Sequence, residues 1–205
     1  MSALDPARPA VCVDFGNAHA WLAVEPTRAL EARLGTAFDW LPLAVPPLVR
    51  PTPERDGDDR GTRHRRFRAR YFENDLRRYA ASRGLELGDL YRAPDTRLAS
   101  LALLFVRSGA FAARVFELEW REGADISKPE VIDAALKQVG VGTEAFREFA
   151  AGEGPGQLAA LQSELETLGL YTVPAYLVAG EAFLGRQHLP MVEWLLTGRT
   201  GLPPI

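Results

Sequence analysis

The chain has only one cysteine, Cys12, among 205 residues. An intramolecular disulfide needs two cysteines, and so does dithiol exchange, so the sequence excludes both. Its three histidines are widely separated and do not have the spacing of a metal site. The sequence also has no glycine-rich phosphate loop and no G-x-S-x-G nucleophile motif. We therefore expect a protein that uses neither a metal ion nor a cysteine pair.

Long apolar runs are also missing. No stretch of about 18 apolar residues occurs, so we predict no membrane-spanning helix. The first ten residues, MSALDPARPA, lack the apolar core of a signal peptide, and we expect a cytoplasmic protein. A net charge of −3 gives no reason to expect nucleic acid as a partner. The basic cluster at 63–70 is a local exception: such runs are usually the solvated face of a helix, and anion binding is the alternative.

The stretch from Val11 to Ala23, VCVDFGNAHAWLA, predicts a buried strand that leads into a helix. Asn17 stands where the strand ends and the helix begins. The unpaired N–H groups and the dipole of a helix N-terminus favour an anion there, and this end of a strand is a common ligand site in α/β sheets. The alternative is that Asn17 only caps the helix.

The remaining chain alternates between segments with the hydrophobic period of a helix and segments with that of a strand. We predict a helix to about Leu34, a strand over 36–43 that lies near an edge because of its prolines, and a polar loop over 51–62. Helices follow over 65–84, 95–108, 110–122 (after a break at Gly109), 128–139 (capped by Ser127), 143–151 and 156–168. In the first of these six helices, we expect an apolar face of six residues: Phe67, Tyr71, Phe72, Leu76, Tyr79 and Ala80.

The chain ends in a hairpin and a helix. The pattern predicts two strands over 171–178 and 182–185, and it predicts a final helix over 190–196. The order βαβ, helical block, ββα is that of an α/β thioredoxin-like sheet with an all-helical insertion. We assign 11–62 and 165–200 to the thioredoxin-like domain and 63–164 to the insertion.

Pro174 falls inside the pattern of the first hairpin strand. Such a proline marks an edge, a bulge or a cis bond. A cis Val173–Pro174 bond would turn the N–H and C=O of Val173 outward, free to pair with an extended ligand, as in β-augmentation. In the closed sheet Pro174 would then face Asn17 and form one site with it.

Four stretches of the chain resemble the DsbA-like branch of the thioredoxin superfamily. In this branch the chain is most similar to the 2-hydroxychromene-2-carboxylate isomerases and the kappa-class glutathione transferases. The resemblance covers about 11–196. The stretches that carry it are DFGNAHAWLA, RYFENDLRRYAASRGL, VFELEWREGADISKPEVIDAAL and TVPAYLVAGEAFLGRQHL.

The resemblance implies glutathione as co-substrate and a role for several residues. Asn17 stands where the isomerases have a serine that hydrogen-bonds the glutathione sulfur, and an asparagine amide can also donate such a bond. Of the C-P-H-C motif of disulfide oxidoreductases only the histidine matches, as His19. Val173 and Pro174 match the residues that pair with the cysteinyl part of glutathione.

Three positions near this implied site carry a different charge from the family pattern. Gln187 replaces an aspartate that faces the γ-glutamyl amine, which removes a charge-assisted hydrogen bond worth about 1.5–3 kcal/mol. Arg186 could hold a ligand carboxylate or be a surface charge. Asp95 replaces an asparagine at the start of a buried helix, where it could line the pocket or cap the helix.

Two functions remain open from the sequence. The first is a glutathione-dependent isomerase or transferase that acts on a small aromatic or conjugated substrate, with Asn17 as its catalytic residue. The second is a catalytically degenerate DsbA-like binding protein, in which Asn-Ala-His-Ala replaces the cysteine motif. Family members are commonly dimers, so a homodimer is compatible with the resemblance.

Overall fold

A computed structural model describes residues 4, 5 and 7–204. This part of the chain contains four strands and eight α-helices. The strands are β1 (Ala10–Val13), β2 (Asp39–Pro42), β3 (Ala175–Val178) and β4 (Glu181–Leu184). The helices are α1 (Ala18–Leu34), α2 (Arg60–Ala81), α3 (Arg97–Val106), α4 (Gly109–Trp120), α5 (Pro129–Gln138), α6 (Thr143–Ala151), α7 (Gly154–Thr167) and α8 (Leu189–Leu196). A 3-10 turn over Arg186–His188 precedes α8.

The four strands form one mixed sheet in the order β2-β1-β3-β4. Strands β1 and β2 are parallel, and β3 is antiparallel to both β1 and β4. This arrangement confirms the predicted βαβ…ββα sheet and places β2, with Pro42, at an edge. Helices α2 to α7 lie between β2 and β3 in the chain. The division into two domains stays a prediction, and one buried apolar cluster runs through the sheet and these helices.

Helix α1 covers the range predicted from the sequence, yet it contains a proline. Pro26 has no N–H, so the carbonyl of Leu22, four residues earlier, loses its helical partner. The guanidinium of Arg83 donates a hydrogen bond to this carbonyl instead. A side chain that follows α2 therefore replaces a backbone bond of α1 and ties the two helices together.

The apolar face predicted for α2 is wrong for its aromatic members. Leu76 and Ala80 are buried, but Phe67, Tyr71, Phe72 and Tyr79 are between 40% and 61% exposed. The third buried residue of the helix is Arg66, which bonds the carbonyls of Thr52 and Pro53 and the carboxylate of Asp58. Because a buried arginine needs several acceptors, the loop before α2 is shaped around its guanidinium.

Three local predictions need correction. Gly109 does not break the helix but opens α4, after Ser108 as cap, and the break lies at Arg107, whose φ is 49°. Glycine fits at position 109 because a Cβ there would lie 2.6 Å from Nε1 of Trp40. Ser127 does not cap α5: the N-cap is Lys128, and the Ser127 hydroxyl bonds Asp125. Pro174 precedes β3 instead of lying inside it.

Helix α4 is fixed to α1 by stacked planar groups. The indoles of Trp21 and Trp120 stack with centroids 5.5 Å apart, and the guanidinium of Arg92 covers Trp120 at 4.3 Å. Nε1 of Trp120 donates to the carbonyl of Phe15, two residues after β1. Trp21 thus packs inward, and the helical block meets the sheet beside the start of α1.

Candidate functional site

Six of the seven residues singled out in the sequence line one cleft. Its volume is about 540 Å³, and it lies between the N-terminus of α1, the segment before β3 and the turn after β4. The six are Asn17, His19, Val173, Pro174, Arg186 and Gln187. The seventh, Asp95, is exposed, does not line this cleft and bonds the backbone N–H of Arg97. The fold therefore brings together two ends of the chain that are more than 150 residues apart.

Asn17 caps α1 and keeps one polar group available. Its Oδ1 accepts the backbone N–H of His19 at 2.9 Å. Since a backbone N–H can only donate, this bond fixes the amide orientation and leaves Nδ2 as a donor. No residue in the described part of the chain accepts from Nδ2, and this atom is not among the fully buried unpaired ones. Capping and ligand contact are thus compatible at Asn17.

The Val173–Pro174 peptide bond is cis, which confirms one of the three alternatives for Pro174. The carbonyl of Pro174 accepts the N–H of Gly185 at 2.8 Å, which closes the end of the hairpin. Neither the N–H nor the C=O of Val173 has a hydrogen-bond partner among residues 4, 5 and 7–204. These two groups belong to a residue that lines the same cleft as Asn17.

His19 joins the cleft to a partly buried ion pair. Its Nδ1 lies 3.3 Å from Nη1 of Arg186, whose Nη2 donates to Oδ2 of Asp75 at 3.0 Å. Burial and the Arg186 charge lower the pKa of His19 to about 4, against a weaker upward effect of Asp75. The ring is therefore neutral at physiological pH. Arg186 does hold a carboxylate, but one that belongs to the protein, and with 13% exposure its side chain is not a surface charge.

Gln187 folds back onto its own hairpin. Its Nε2 donates to the carbonyl of Leu184 at 3.0 Å, and its amide fills the space that a Cβ on Gly185 would need. Gly185 has a φ of 104°, which also favours glycine. The Gln187 amide oxygen is thus the only atom of this side chain left to accept a ligand hydrogen bond.

A smaller cavity of about 150 Å³ adjoins the cleft at Asn17. Asp14 lines it, and the backbone N–H groups of Gly16 and Val45 bond the two oxygens of its carboxylate. Burial raises the pKa of Asp14, against the effect of these two bonds. Arg92 lines the opposite wall with its Nε buried and unpaired. The sequence pattern predicts only that Asp14 is part of the buried strand.

Other groups of the cleft were not found from the sequence. Phe72 and Arg68 line it from α2, with the Arg68 guanidinium 5.5 Å from the Phe72 ring, and Tyr171 lines it before β3. No sequence pattern pointed to Asp75 as a site residue, because an acidic side chain on a polar helix is usually solvated. Among the described residues, no group of three or more His, Cys, Asp or Glu side chains is placed to hold a metal ion. None of the described helices is long and apolar enough to cross a bilayer.

The sheet order, the cis-proline loop and the helix N-terminus that it faces define a protein of the thioredoxin fold. The family model for the DSBA-like thioredoxin domain matches residues 12–197, nearly the whole chain. The chain therefore belongs to the DSBA-like thioredoxin family. No curated protein matches the sequence.

Solved structures of this fold align along most of their length. A 2-hydroxychromene-2-carboxylate isomerase is 19% identical, with a TM-score of 0.65 over 93% of this chain and 94% of that one. A protein described as a probable DsbA oxidoreductase from Streptomyces coelicolor is 17% identical, with a TM-score of 0.66 over 97% and 93%. At these identities the likeness concerns the fold alone.

Proposed function

We propose that this protein binds reduced glutathione in the cleft at Asn17 and uses its thiolate to isomerise or modify a small aromatic or conjugated substrate. The observation that carries the proposal is the unused donor of Asn17 at the start of α1, which lines the same cleft as the unpaired backbone of Val173. The 2-hydroxychromene-2-carboxylate isomerase among the structural neighbours is consistent with this choice. Glutathione chemistry also suits a reducing compartment, so we propose the cytoplasm as its location.

The chemistry needs little from the protein besides anion stabilisation. Asn17 Nδ2 and the α1 dipole would lower the thiol pKa of the bound tripeptide. The sulfur then adds to the activated alkene of the substrate, and the electron pair moves onto the conjugated carbonyl. Rotation about the new single bond and loss of the sulfur return the thiolate and complete an isomerisation. Such a reaction consumes no glutathione.

A second candidate is a binding protein without catalytic activity. Gln187 favours it, because its amide is engaged with Leu184 and brings no charge to the γ-glutamyl amine. Loss of such a charge-assisted bond lowers affinity by roughly 1.5–3 kcal/mol. The ligand would then be a peptide or another small molecule held on the backbone of Val173.

Calorimetric titration with reduced glutathione tests the choice between the two. We expect binding in the micromolar to low millimolar range, weakened in Asn17→Ala. A parallel titration of thiol absorbance against pH should show a lowered thiol pKa for the bound tripeptide, and this shift should vanish in the variant. Absence of heat at millimolar ligand would refute the proposal and favour the binding protein.

Two further variants separate the cap from the ligand contact. Asn17→Asp keeps the helix cap but replaces the donor with an anion, so the fold should persist while glutathione binding is lost. Asn17→Ser keeps both a cap and a donor, and should bind glutathione as the wild type does. Equal affinity of Asn17→Asp and wild type would exclude a contact between Asn17 and the sulfur.

A further inference from the structure

The imidazole of His19 has a charged neighbour on one nitrogen only. Nη1 of Arg186 lies 3.3 Å from Nδ1, and the same guanidinium is held by Asp75 at 3.0 Å and covers the ring of Tyr79 at 4.3 Å. The Arg186 and Asp75 side chains are 13% and 20% exposed. Two side chains of α2 thus hold the guanidinium that the turn after β4 supplies, so its position relative to His19 is set by these contacts.

This contact determines where the His19 proton lies. A guanidinium has five N–H donors, no acceptor, and does not lose its proton in proteins. It can therefore only donate to Nδ1, which must be the unprotonated nitrogen. A neutral imidazole carries one proton, so that proton is on Nε2. Nδ1 is occupied by Arg186, and His19 has no free basic nitrogen to act as a general base.

Nε2 is left facing a ligand space. No described residue bonds it, and it is not among the fully buried unpaired side-chain atoms, which are Asp39 Oδ1, Arg92 Nε and Arg114 Nε. His19 lines the cleft at Asn17 and also a neighbouring cavity of about 510 Å³ along α2. The Phe72 ring meets the imidazole edge-on, with the two centroids 6.2 Å apart. Nε2 is therefore accessible while the ring itself is held.

We propose that Arg186, anchored by Asp75, is a positioning residue that fixes neutral His19 with its proton on Nε2, so that the ring donates a hydrogen bond to an anionic atom bound in the cleft. The anion is the glutathione thiolate if the proposed function holds, and in that case this inference rests on it. The fixed tautomer itself does not depend on which anion binds. Asn17 and His19, two residues apart at the start of α1, then form a pair of neutral donors.

The charges around the ring agree with this arrangement. Asp75 and Tyr79 face it from α2, Arg186 from the turn after β4, and Arg68 and Arg83 line the same two cavities. Asp75 neutralises Arg186 without contacting His19, so the guanidinium orients the ring while the pair adds little net charge. The cations of Arg68 and Arg83 raise the local preference for an anion.

Nitrogen-15 NMR of the histidine rings tests the tautomer in the protein without ligand. The chain has only three histidines, His19, His64 and His188, so His19→Phe identifies the signal. At neutral pH we expect the long-range proton–nitrogen pattern of a ring protonated at Nε2 alone. A His19 proton on Nδ1, or a mixture of both tautomers in the wild type, would overturn the proposal.

Variants test whether Arg186 is the residue that fixes the His19 tautomer. In Arg186→Met, which keeps a long side chain over Tyr79, we expect a mixture of tautomers, and Asp75→Ala should give the same mixture because Arg186 loses its anchor. Arg68→Gln removes a cation from the same cleft without touching His19, and should leave the ring protonated at Nε2 alone. An unchanged pattern in Arg186→Met would refute the positioning role.

Titrations with two probes, sodium thiocyanate and reduced glutathione, test the donor. We expect either anion to shift the His19 Nε2 resonance but not that of His64, and His19→Phe to weaken binding about tenfold, the value of one hydrogen bond to a charged group. His19→Gln, whose amide can donate a hydrogen bond, should retain part of the affinity that His19→Phe loses. A shift with thiocyanate alone would refute glutathione as the ligand and support the inference. No shift with either probe would refute the inference.

Discussion

At the scale of single residues, the polar atoms left unused in the cleft are mostly hydrogen-bond donors. Nδ2 of Asn17, Nε2 of His19 and the N–H of Val173 have no partner among the described residues. Such a set stabilises negative charge and does not remove protons. It follows that a reaction in this cleft would depend on a nucleophile that the ligand brings with it.

The partly buried position of His19 predicts how the free energy of unfolding changes with pH. Its pKa is about 4 in the folded state, chiefly because of burial, against about 6.5 for a free histidine. Between pH 4 and 6.5 the unfolded chain binds more protons, so the free energy of unfolding rises with pH across this window. We expect His19→Gln to remove about 3 kcal/mol of this change, measured by urea unfolding at pH 4 and 7.

Arg186→Met is the matched control for this measurement. Because burial is the larger cause of the lowered pKa and Arg186 the second, the variant should keep most of the pH dependence. If wild type and His19→Gln lost the same stability between pH 7 and 4, His19 would not be the group that titrates.

The strand-to-helix break was enough to find Asn17, and the resemblance to the C-P-H-C motif pointed to His19. The partners of His19 could not be found in this way. Asp75 is 56 residues away and lies on a helix whose other charged residues are largely exposed. Its role depends on how α2 packs beside α1, which no local pattern records.

At the scale of elements, a side chain from the segment after α2 replaces a missing backbone hydrogen bond of α1. Because Pro26 leaves the carbonyl of Leu22 without a helical donor, Arg83 supplies one. Arg83→Met should therefore lower the free energy of unfolding by about 1–3 kcal/mol, the cost of a buried carbonyl without a partner. Urea unfolding measures this loss.

A double-mutant cycle shows whether the Leu22 carbonyl is the reason why Arg83 stabilises the protein. Pro26→Ala restores an N–H to the helix, so in that background Arg83→Met should cost clearly less. An equal cost in both backgrounds would mean that Arg83 stabilises the protein by another contact.

Element boundaries were predictable where the chain carries a clear stop or cap. The α1 range follows from Asn17 and from Gly35, which ends the helix with a φ of 63°. The exposed aromatics of α2 were assigned to a buried face because spacing alone does not tell a core from the wall of a cleft. Phe72 shows the difference, since it lines the ligand space and packs against His19.

At the scale of the whole molecule, the sheet and the helical block share one apolar core. Phe15, after β1, contacts Phe116 of α4 with ring centroids 4.9 Å apart, and Trp40 of β2 packs at the start of α4. The sequence predicted the order of the parts, because strand and helix periods are local. It could not predict this shared core, which is a property of packing. We therefore expect the two parts to unfold together.

Cys12 offers a direct measurement of this cooperativity. It lies in β1, beside β2 and β3, is fully buried, and burial raises its pKa to about 12. A thiol reagent should not label the native protein, and with rising urea the labelled fraction should follow the loss of helical circular dichroism. Complete labelling in about 8 M urea, where the chain should be unfolded, is the control. Labelling well before the helical signal falls would show that the sheet opens by itself.

The same burial separates the protein from the redox state of its surroundings. The only thiol of the chain lies in the middle of the sheet, and the residue that faces the cleft at the start of α1 is an asparagine. Oxidised glutathione or a partner's reactive disulfide therefore meets no accessible thiol with which to form a mixed disulfide on the folded chain. A fold shared with disulfide oxidoreductases is here closed to thiol–disulfide exchange, so an oxidised thiol pool cannot add a mixed disulfide to its cleft.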